Sequence, residues 1–128
     1  MATRSRIAIE NQDGTVSSVY CHFDGYLRGV GKTLFNHYDK EKLEKLIELG
    51  DISSLGESTE NTAAYHRDRG EDLHTTSYLN VEGLFENGSD SGEEYIYCLT
   101  KEGVWVFKDY SNKILDLKEK LKEYKIID

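Results

Sequence analysis

The stretch that decides the fold runs from residue 6 to residue 23 and reads Arg-Ile-Ala-Ile-Glu-Asn-Gln-Asp-Gly-Thr-Val-Ser-Ser-Val-Tyr-Cys-His-Phe. Asp13 and Gly14 lie between two apolar segments, and both residue types tolerate the positive φ angles of tight hairpin turns. We therefore predict a β-hairpin whose strands cover residues 6–10 and 16–23.

A second hairpin is predicted nearer the C-terminus, with strands over residues 95–100 and 104–108 around the turn sequence Lys-Glu-Gly. Its strands carry aromatic side chains on both faces, which is typical of a strand covered on both sides. Two hairpins with three or more helices predict an α+β fold, in which an antiparallel sheet built from the hairpins is packed against the helices. A length of 128 residues is typical of a single domain, which we place at residues 1–128.

Apolar spacing and capping residues predict where the helices lie. Residues 30–38 are expected to form a short helix, and Asp39 to cap a second helix over residues 40–49. Asn80 would cap another short helix, and residues 87–94 read as an acidic flexible loop. Ser111 would cap the last helix, whose apolar stripe is Ile114, Leu117, Leu121 and Tyr124.

Alternation along the strands predicts the core. Successive strand side chains point to opposite faces of a sheet, so His22 would point away from the apolar face of its strand. The predicted core residues are Val19, Cys21, Phe23, Trp105, Phe107 and Leu117.

Composition narrows the classes of partner. The 24 acidic residues outnumber the 16 basic ones, for a net charge of −8, which argues against direct nucleic-acid binding because that needs a basic surface. An acidic face could instead dock on a basic protein. The two cysteines, Cys21 and Cys98, lie in apolar segments and are expected to be buried, reduced thiols of a cytoplasmic protein. No apolar run is long enough for a membrane span or a signal peptide, so we expect no membrane contact.

One dense cluster of polar and glycine residues spans residues 20–31, at the join between a predicted strand and a predicted helix. Gly29 and Gly31 could open that helix so that its free N–H groups accept an anion beside Arg28 or Lys32. Gly-Val-Gly-Lys-Thr at 29–33 resembles the end of a phosphate-binding loop, but Tyr26 stands where the full pattern needs a glycine. The alternative is a glycine turn that only lets the helix pack on the sheet.

A second polar cluster, residues 65–72, reads Tyr-His-Arg-Asp-Arg-Gly-Glu-Asp. Its two arginines could grip a phosphate or carboxylate, or the alternating charges could simply pair within a solvated loop. His22 with Asp24, and His66 with Asp68, form two His-x-Asp pairs from which a metal or acid–base site can be drawn. No established metal-ligand spacing supports such a site, so we expect no metal and no cofactor.

The two clusters are expected to lie side by side. Asp24 falls at a strand end, and a long loop would carry Arg67 and Arg69 back to that end of the sheet. We predict a partly buried bridge from Asp24 to one of these arginines.

Several motifs together resemble a family of small uncharacterised proteins encoded by bacteriophages and prophages. They are Thr3 to Ile7, Val19 to Tyr26, Gly29 to Gly31, Leu46 with Ile47, Gly50 to Leu55, Ala64 to Glu71, Tyr95 to Tyr97 and Gly103 to Trp105. The family typically has a tryptophan where this chain has Phe23, and often a proline where it has Leu27. The resemblance spans most of the chain and implies a phage accessory protein acting in the bacterial host cytoplasm, with the two polar clusters as its functional surface.

The favoured function is non-enzymatic binding of a host or defence protein, as an inhibitor would do. The alternatives are a site for a small nucleotide-like anion, which the protein could sequester or hydrolyse, and a purely structural role in which the clusters brace each other. The candidate binding residues are His22, Asp24, Gly25, Tyr26, Arg28, Gly29, Gly31, Tyr65, Arg67, Asp68, Arg69 and Glu71.

Overall fold

A computed structural model describes residues 2–128 and contains one eight-stranded sheet. Its strands are β1 (Ser5–Glu10), β2 (Val16–Cys21), β3 (Ile52–Ser54), β4 (Ala63–Ala64), β5 (Thr76–Tyr78), β6 (Tyr95–Leu99), β7 (Trp105–Lys108) and β8 (Ile114–Asp116). The helices are α1 (Lys32–His37), α2 (Lys40–Glu48), α3 (Tyr65–Arg69), α4 (Val81–Asn87) and α5 (Leu117–Glu123). A π-helical turn (Leu27–Gly31) precedes α1, and a 3-10 turn (Thr59–Asn61) precedes β4.

The sheet is mixed, with strand order β4-β3-β2-β1-β6-β7-β8 and with β5 also paired to β2. Neighbours β1 and β2 are antiparallel, as are β6 and β7, but β1 pairs with β6 in parallel and β2 pairs with β3 in parallel. The fold class is therefore α+β as predicted, and the two predicted strand pairs are antiparallel, but the prediction that the sheet as a whole is antiparallel is wrong. The long connection between β2 and β6 lets the chain return in either direction, and no local motif marks the parallel choice.

Each face of the sheet has its own apolar cluster. The larger one places α1, α2 and α5 over one face, and Trp105 (7% exposed), Phe107 and Leu117 are buried there as predicted. The smaller one packs Leu84 and Phe85 of α4 on the opposite face. The placement of the two clusters follows the alternation of strand side chains.

Phe23 is the exception among the predicted core residues, because 44% of it is exposed. Val19 and Cys21 are buried as expected. The strand ends at Cys21, so the alternation that would turn Phe23 inward stops before it reaches that residue.

Two of the predicted helix caps are confirmed and one is wrong. Asp39 accepts a hydrogen bond from the Lys42 N–H at 2.9 Å, and Asn80 accepts one from the Gly83 N–H at 2.7 Å. Ser111 does not cap the last helix, since residues 114–116 form β8 against β7. Asp116 caps α5 instead.

A buried ion pair fixes the segment that follows α4. Arg6 Nη2 lies 2.7 Å from Glu93 Oε2, and the two side chains are 5% and 0% exposed. Arg6 Nη1 also donates to Ser18 Oγ at 3.1 Å, and its Nε lies 3.3 Å from the Gly88 carbonyl oxygen. The segment expected to be a flexible loop is thus tied to the sheet at both ends.

Among residues 2–128, no helix has the length and apolar character needed to cross a bilayer.

Candidate functional site

The chain leaves β2 through a turn with unusual backbone geometry. Asp24 has a φ of 59°, a left-handed conformation that is uncommon for any residue but glycine. A Cβ atom on Gly25 would come within 2.8 Å of the Ser5 side chain and of the Thr3 carbonyl oxygen. A Cβ atom on Gly29 would collide with the Asp24 carbonyl oxygen. These two glycines let the turn press against the start of β1 and close on itself.

The N–H groups of Gly29, Val30 and Gly31 are engaged within this turn. Those of Gly29 and Gly31 donate to the Tyr26 carbonyl oxygen at 3.0 and 3.3 Å, and that of Val30 donates to the Asp24 carbonyl oxygen at 2.8 Å. These bonds build the π-helical turn. The N–H groups of the two glycines, which are expected to be free for an anion, are instead bonded within the turn, as the alternative of a packing turn requires.

The π-helical turn, the start of β6 and the end of α5 enclose an open groove of about 530 Å³, which we call the tyrosine groove. Tyr26 and Tyr124 on its walls are 42% and 52% exposed. Exposed tyrosines beside an arginine are the residue types that carry most of the binding energy in protein interfaces. The lining residues are Tyr26, Leu27, Arg28, Tyr95, Tyr124 and Ile126.

Hydrogen bonds and ring stacking hold the walls of the tyrosine groove in place. The Tyr26 hydroxyl donates to Asp24 Oδ1 at 3.0 Å. The Tyr95 ring stacks on that of Tyr97, with centroids 6.0 Å apart and planes at 6°. The Tyr97 hydroxyl in turn donates to the Gly25 carbonyl oxygen at 2.7 Å. A surface that is already ordered loses less conformational entropy when it binds a partner.

Arg28 supplies the positive charge of the tyrosine groove. Its Nη2 atom makes one long contact, 3.5 Å to the Tyr124 carbonyl oxygen. Within residues 2–128, Arg28 forms no ion pair with a carboxylate. Its guanidinium is therefore available to donate to a carboxylate or phosphate of a bound molecule.

The second polar cluster contains α3, and its charged side chains bond to each other and to the residues just before the helix. Arg67 Nε donates to Asp68 Oδ1 at 2.9 Å, and Arg67 Nη1 donates to the Thr59 carbonyl oxygen at 2.9 Å. Asp68 Oδ2 also accepts from the Ala64 N–H at 2.8 Å. The Arg67 hydrogen bonds, followed by that of Ala64, lower the pKa of Asp68 to about 2. These bonds fix α3 to the 3-10 turn that precedes it.

The two polar clusters meet at Asp51, a residue that belongs to neither. The Tyr20 N–H donates to Asp51 Oδ1 at 2.9 Å, and the Tyr65 N–H donates to the Asp51 carbonyl oxygen at 3.3 Å. His74 Nδ1 lies 2.8 Å from Asp51 Oδ2. The clusters are thus neighbours, but they join through their first residues and not through their charged side chains.

The predicted bridge from Asp24 to Arg67 or Arg69 does not form. Asp24 accepts from the tyrosine two residues further along, and Arg67 pairs with the adjacent Asp68. Arg69 lies over the Tyr65 ring, with Cζ 5.1 Å from the centroid. Each charged group has a partner close by in sequence, so none reaches across to the other cluster.

The histidines of the two His-x-Asp pairs make local contacts. His22 Nδ1 lies 2.7 Å from the Tyr20 hydroxyl, and His66 Nδ1 lies 2.7 Å from the Glu71 carbonyl oxygen. In the part of the chain that the structure describes, no group of three or more His, Cys, Asp or Glu residues is placed to hold a metal ion. The His22 contact joins two side chains close in sequence, and the His66 contact joins a side chain to the backbone five residues further on.

The two cysteines are buried on opposite faces of the sheet, one in each apolar cluster. Burial raises the pKa of both thiols to about 12. They are therefore protonated at neutral pH and poor nucleophiles.

The tyrosine groove contains two of the predicted binding residues, Tyr26 and Arg28, and it adds residues that sequence reasoning did not assign to a site. Tyr95 was expected as a covered strand residue, and Tyr124 as part of an apolar helix stripe. Tyr124 is exposed because α5 ends at Glu123 and Tyr124 is its C-cap. The sequence does carry one signal for this site: Tyr124 is an aromatic residue at a helix end, where polar residues are usual.

Comparison with known proteins gives no relative from which to transfer a function: no family model, no curated protein and no solved structure matches the chain.

Proposed function

We propose that the protein acts without catalysis, by binding another protein through the tyrosine groove. The observation that carries the proposal is the exposure of Tyr26 and Tyr124 beside Arg28 on an ordered, open surface. Tyrosine and arginine are enriched among the residues that dominate protein interfaces, where they cluster around an apolar centre. Leu27 and Ile126 supply that centre here.

The biological setting of the proposal comes from the sequence resemblance to phage-encoded proteins. A host or defence protein in the bacterial cytoplasm is the partner that this setting favours, and inhibition is the effect that a small non-enzymatic binder would have. The second polar cluster contributes less to this proposal, because Arg67 and Asp68 satisfy each other.

A small nucleotide-like anion is the second candidate for the groove. The free guanidinium of Arg28 and the exposed rings of Tyr26 and Tyr124 could hold a phosphate and an aromatic ring, and about 530 Å³ is within the range of small-molecule pockets. Ligand sites of that kind usually enclose most of the ligand. The open form of the groove favours a protein.

Affinity capture with matched variants tests the proposal. The immobilised protein is exposed to bacterial host lysate beside a groove variant, Tyr26→Ala with Tyr124→Ala. A control variant, Leu79→Ala, removes an apolar side chain that is 88% exposed and lies outside the groove. Circular dichroism melting confirms that all three proteins are folded.

We expect one or a few proteins to be captured by the parent and by the Leu79 variant, and lost with the groove variant. Capture that survives in the groove variant, or a small molecule that co-purifies with the parent and is lost with the groove variant, would contradict the proposal. Native mass spectrometry of the parent detects a co-purifying small molecule directly.

A further inference from the structure

The tyrosine groove continues into a second cavity of about 310 Å³ on the other side of Tyr124. The two cavities share Leu27 and Tyr124, so they form one surface that wraps around the end of α5. The second cavity adds the side chains of Leu115 on β8, Lys113 before it and Lys120 on α5. We call the combined surface the extended groove.

The residues that line the extended groove include more cations than carboxylates. Its charged lining residues are three cations, Arg28, Lys113 and Lys120, and one carboxylate, Asp109. The whole chain carries a net charge of −8. Two further carboxylates contact groove residues, Asp24 at the Tyr26 hydroxyl and Glu123 at Lys120. Charges act over about 8 Å at physiological salt, so a bound partner responds to these groups and to the lining cations more than to distant acidic residues.

The cations differ in how free they are. Lys120 Nζ lies 2.8 Å from Glu123 Oε2, so its charge is partly neutralised by an ion pair within α5. Arg28 and Lys113 form no ion pair among residues 2–128. Arg28 lies in one cavity and Lys113 in the other. A carboxylate of a bound molecule would form its strongest hydrogen bonds with these two side chains, because neither already has an ionic partner.

We propose that the partner presents to the extended groove an acidic peptide segment that carries an aromatic or large apolar side chain. This inference rests on the proposed function and specifies its partner. The apolar side chain enters between Tyr26 and Tyr124 over Leu27, and flanking carboxylates accept hydrogen bonds from Arg28 and Lys113. Charge complementarity selects an acidic segment over a basic one, since a lysine or arginine there would meet the three groove cations.

A nucleic acid is the other polyanion that a basic, tyrosine-lined groove could attract. Its phosphates would continue past the groove onto a surface that is acidic overall, where they are repelled. A short acidic peptide confines its charges to the groove. The structure therefore favours the peptide, and a single-stranded oligonucleotide becomes a competitor in the test.

Selection from a library of random displayed dodecapeptides on the full chain tests the inference. The selected peptides are synthesised, and their binding is measured by fluorescence anisotropy against the parent, a charge-reversal variant and a control. The variant is Arg28→Glu with Lys113→Glu. The control is Lys101→Glu, an exposed lysine in the turn that follows β6. The far end of that strand, Leu99, lies about 13 Å from Tyr95 by strand rise.

We expect enrichment of peptides rich in Asp and Glu around a Phe, Trp, Tyr or Leu, binding that weakens as salt rises, and a loss of about tenfold or more in the charge-reversal variant only. Enrichment of basic or uncharged peptides, equal binding to the charge-reversal variant, or tighter binding of a dodecameric oligothymidylate than of the selected peptides would each overturn the inference. If the inference fails but capture from lysate is still lost in the Tyr26→Ala, Tyr124→Ala variant, the proposed function stands. If that variant captures the same proteins as the parent, both the inference and the proposed function are wrong.

Discussion

Breaking the buried Arg6–Glu93 pair should destabilise the protein strongly. Glu93→Gln leaves the shape of the side chain but removes the charge that two donors of Arg6 share, Nε at 2.8 Å and Nη2 at 2.7 Å. Arg6 keeps its contacts to Ser18 and the Gly88 carbonyl, but it is left as a charge in a site where its side chain is 5% exposed. Removing one partner of a buried pair costs about 3–5 kcal/mol, and we expect the lower end because those contacts remain.

The assay is urea denaturation at pH 7, with a matched control on the surface. Lys120 and Glu123 lie at almost the same distance, 2.8 Å, but at an exposed site, so Lys120→Ala should cost less than about 1 kcal/mol. Replacing both buried partners, as in Arg6→Met with Glu93→Leu, should bring stability back to within about 1–2 kcal/mol of the parent. The reasoning is refuted if Glu93→Gln costs no more than the surface control.

Three further predictions follow from the core and from the titrating groups. Trp105→Ala should lower the free energy of unfolding by about 3–5 kcal/mol, because the indole is nearly fully buried; a variant that melts within about two degrees of the parent would contradict this. Cys21 and Cys98, with a pKa of about 12, should react with a thiol reagent at pH 8 only after urea is added, and fast labelling of the folded protein would show that they are accessible. The pKa of Asp68 is about 2 in the folded protein against an ordinary 3.8, so the carboxylate adds stability above about pH 4 that is lost as the pH falls towards 2. Asp68→Asn should therefore make acid unfolding less steep between these pH values, and an unchanged acid curve would count against the Arg67 contact.

How far the sequence predicts the fold depends on whether the signal is local. The caps at Asp39 and Asn80 depend on a side chain and an N–H three residues away, so the residue type alone indicates them. The parallel pairing of β1 with β6 joins residues about ninety positions apart, and no turn sequence marks it. β8 was missed because Ile114 fits the helical spacing of α5, although its backbone pairs with Lys108 of β7.

In the candidate site, too, the residues marked by a local motif are predictable and those brought in by long-range contacts are not. Tyr26 and Arg28 stand out in a short motif rich in glycine, which predicts an unusual turn wherever it occurs. Tyr95 and Tyr124 join them only because β6 and the end of α5 meet beside that turn. The predicted Asp24 bridge failed for a local reason, since a hydroxyl two residues away satisfies the carboxylate before a distant arginine can.

Photo-crosslinking in the bacterial host tests most directly whether the tyrosine groove binds a partner. A photoreactive phenylalanine analogue is placed at Tyr124 in one protein and at Leu79, which is more exposed and lies outside the groove, in another. We expect a discrete crosslinked protein from the Tyr124 position, absent from the Leu79 position and lost when Arg28→Glu is added. Crosslinks to one partner from Leu79 and none from Tyr124 would contradict the account.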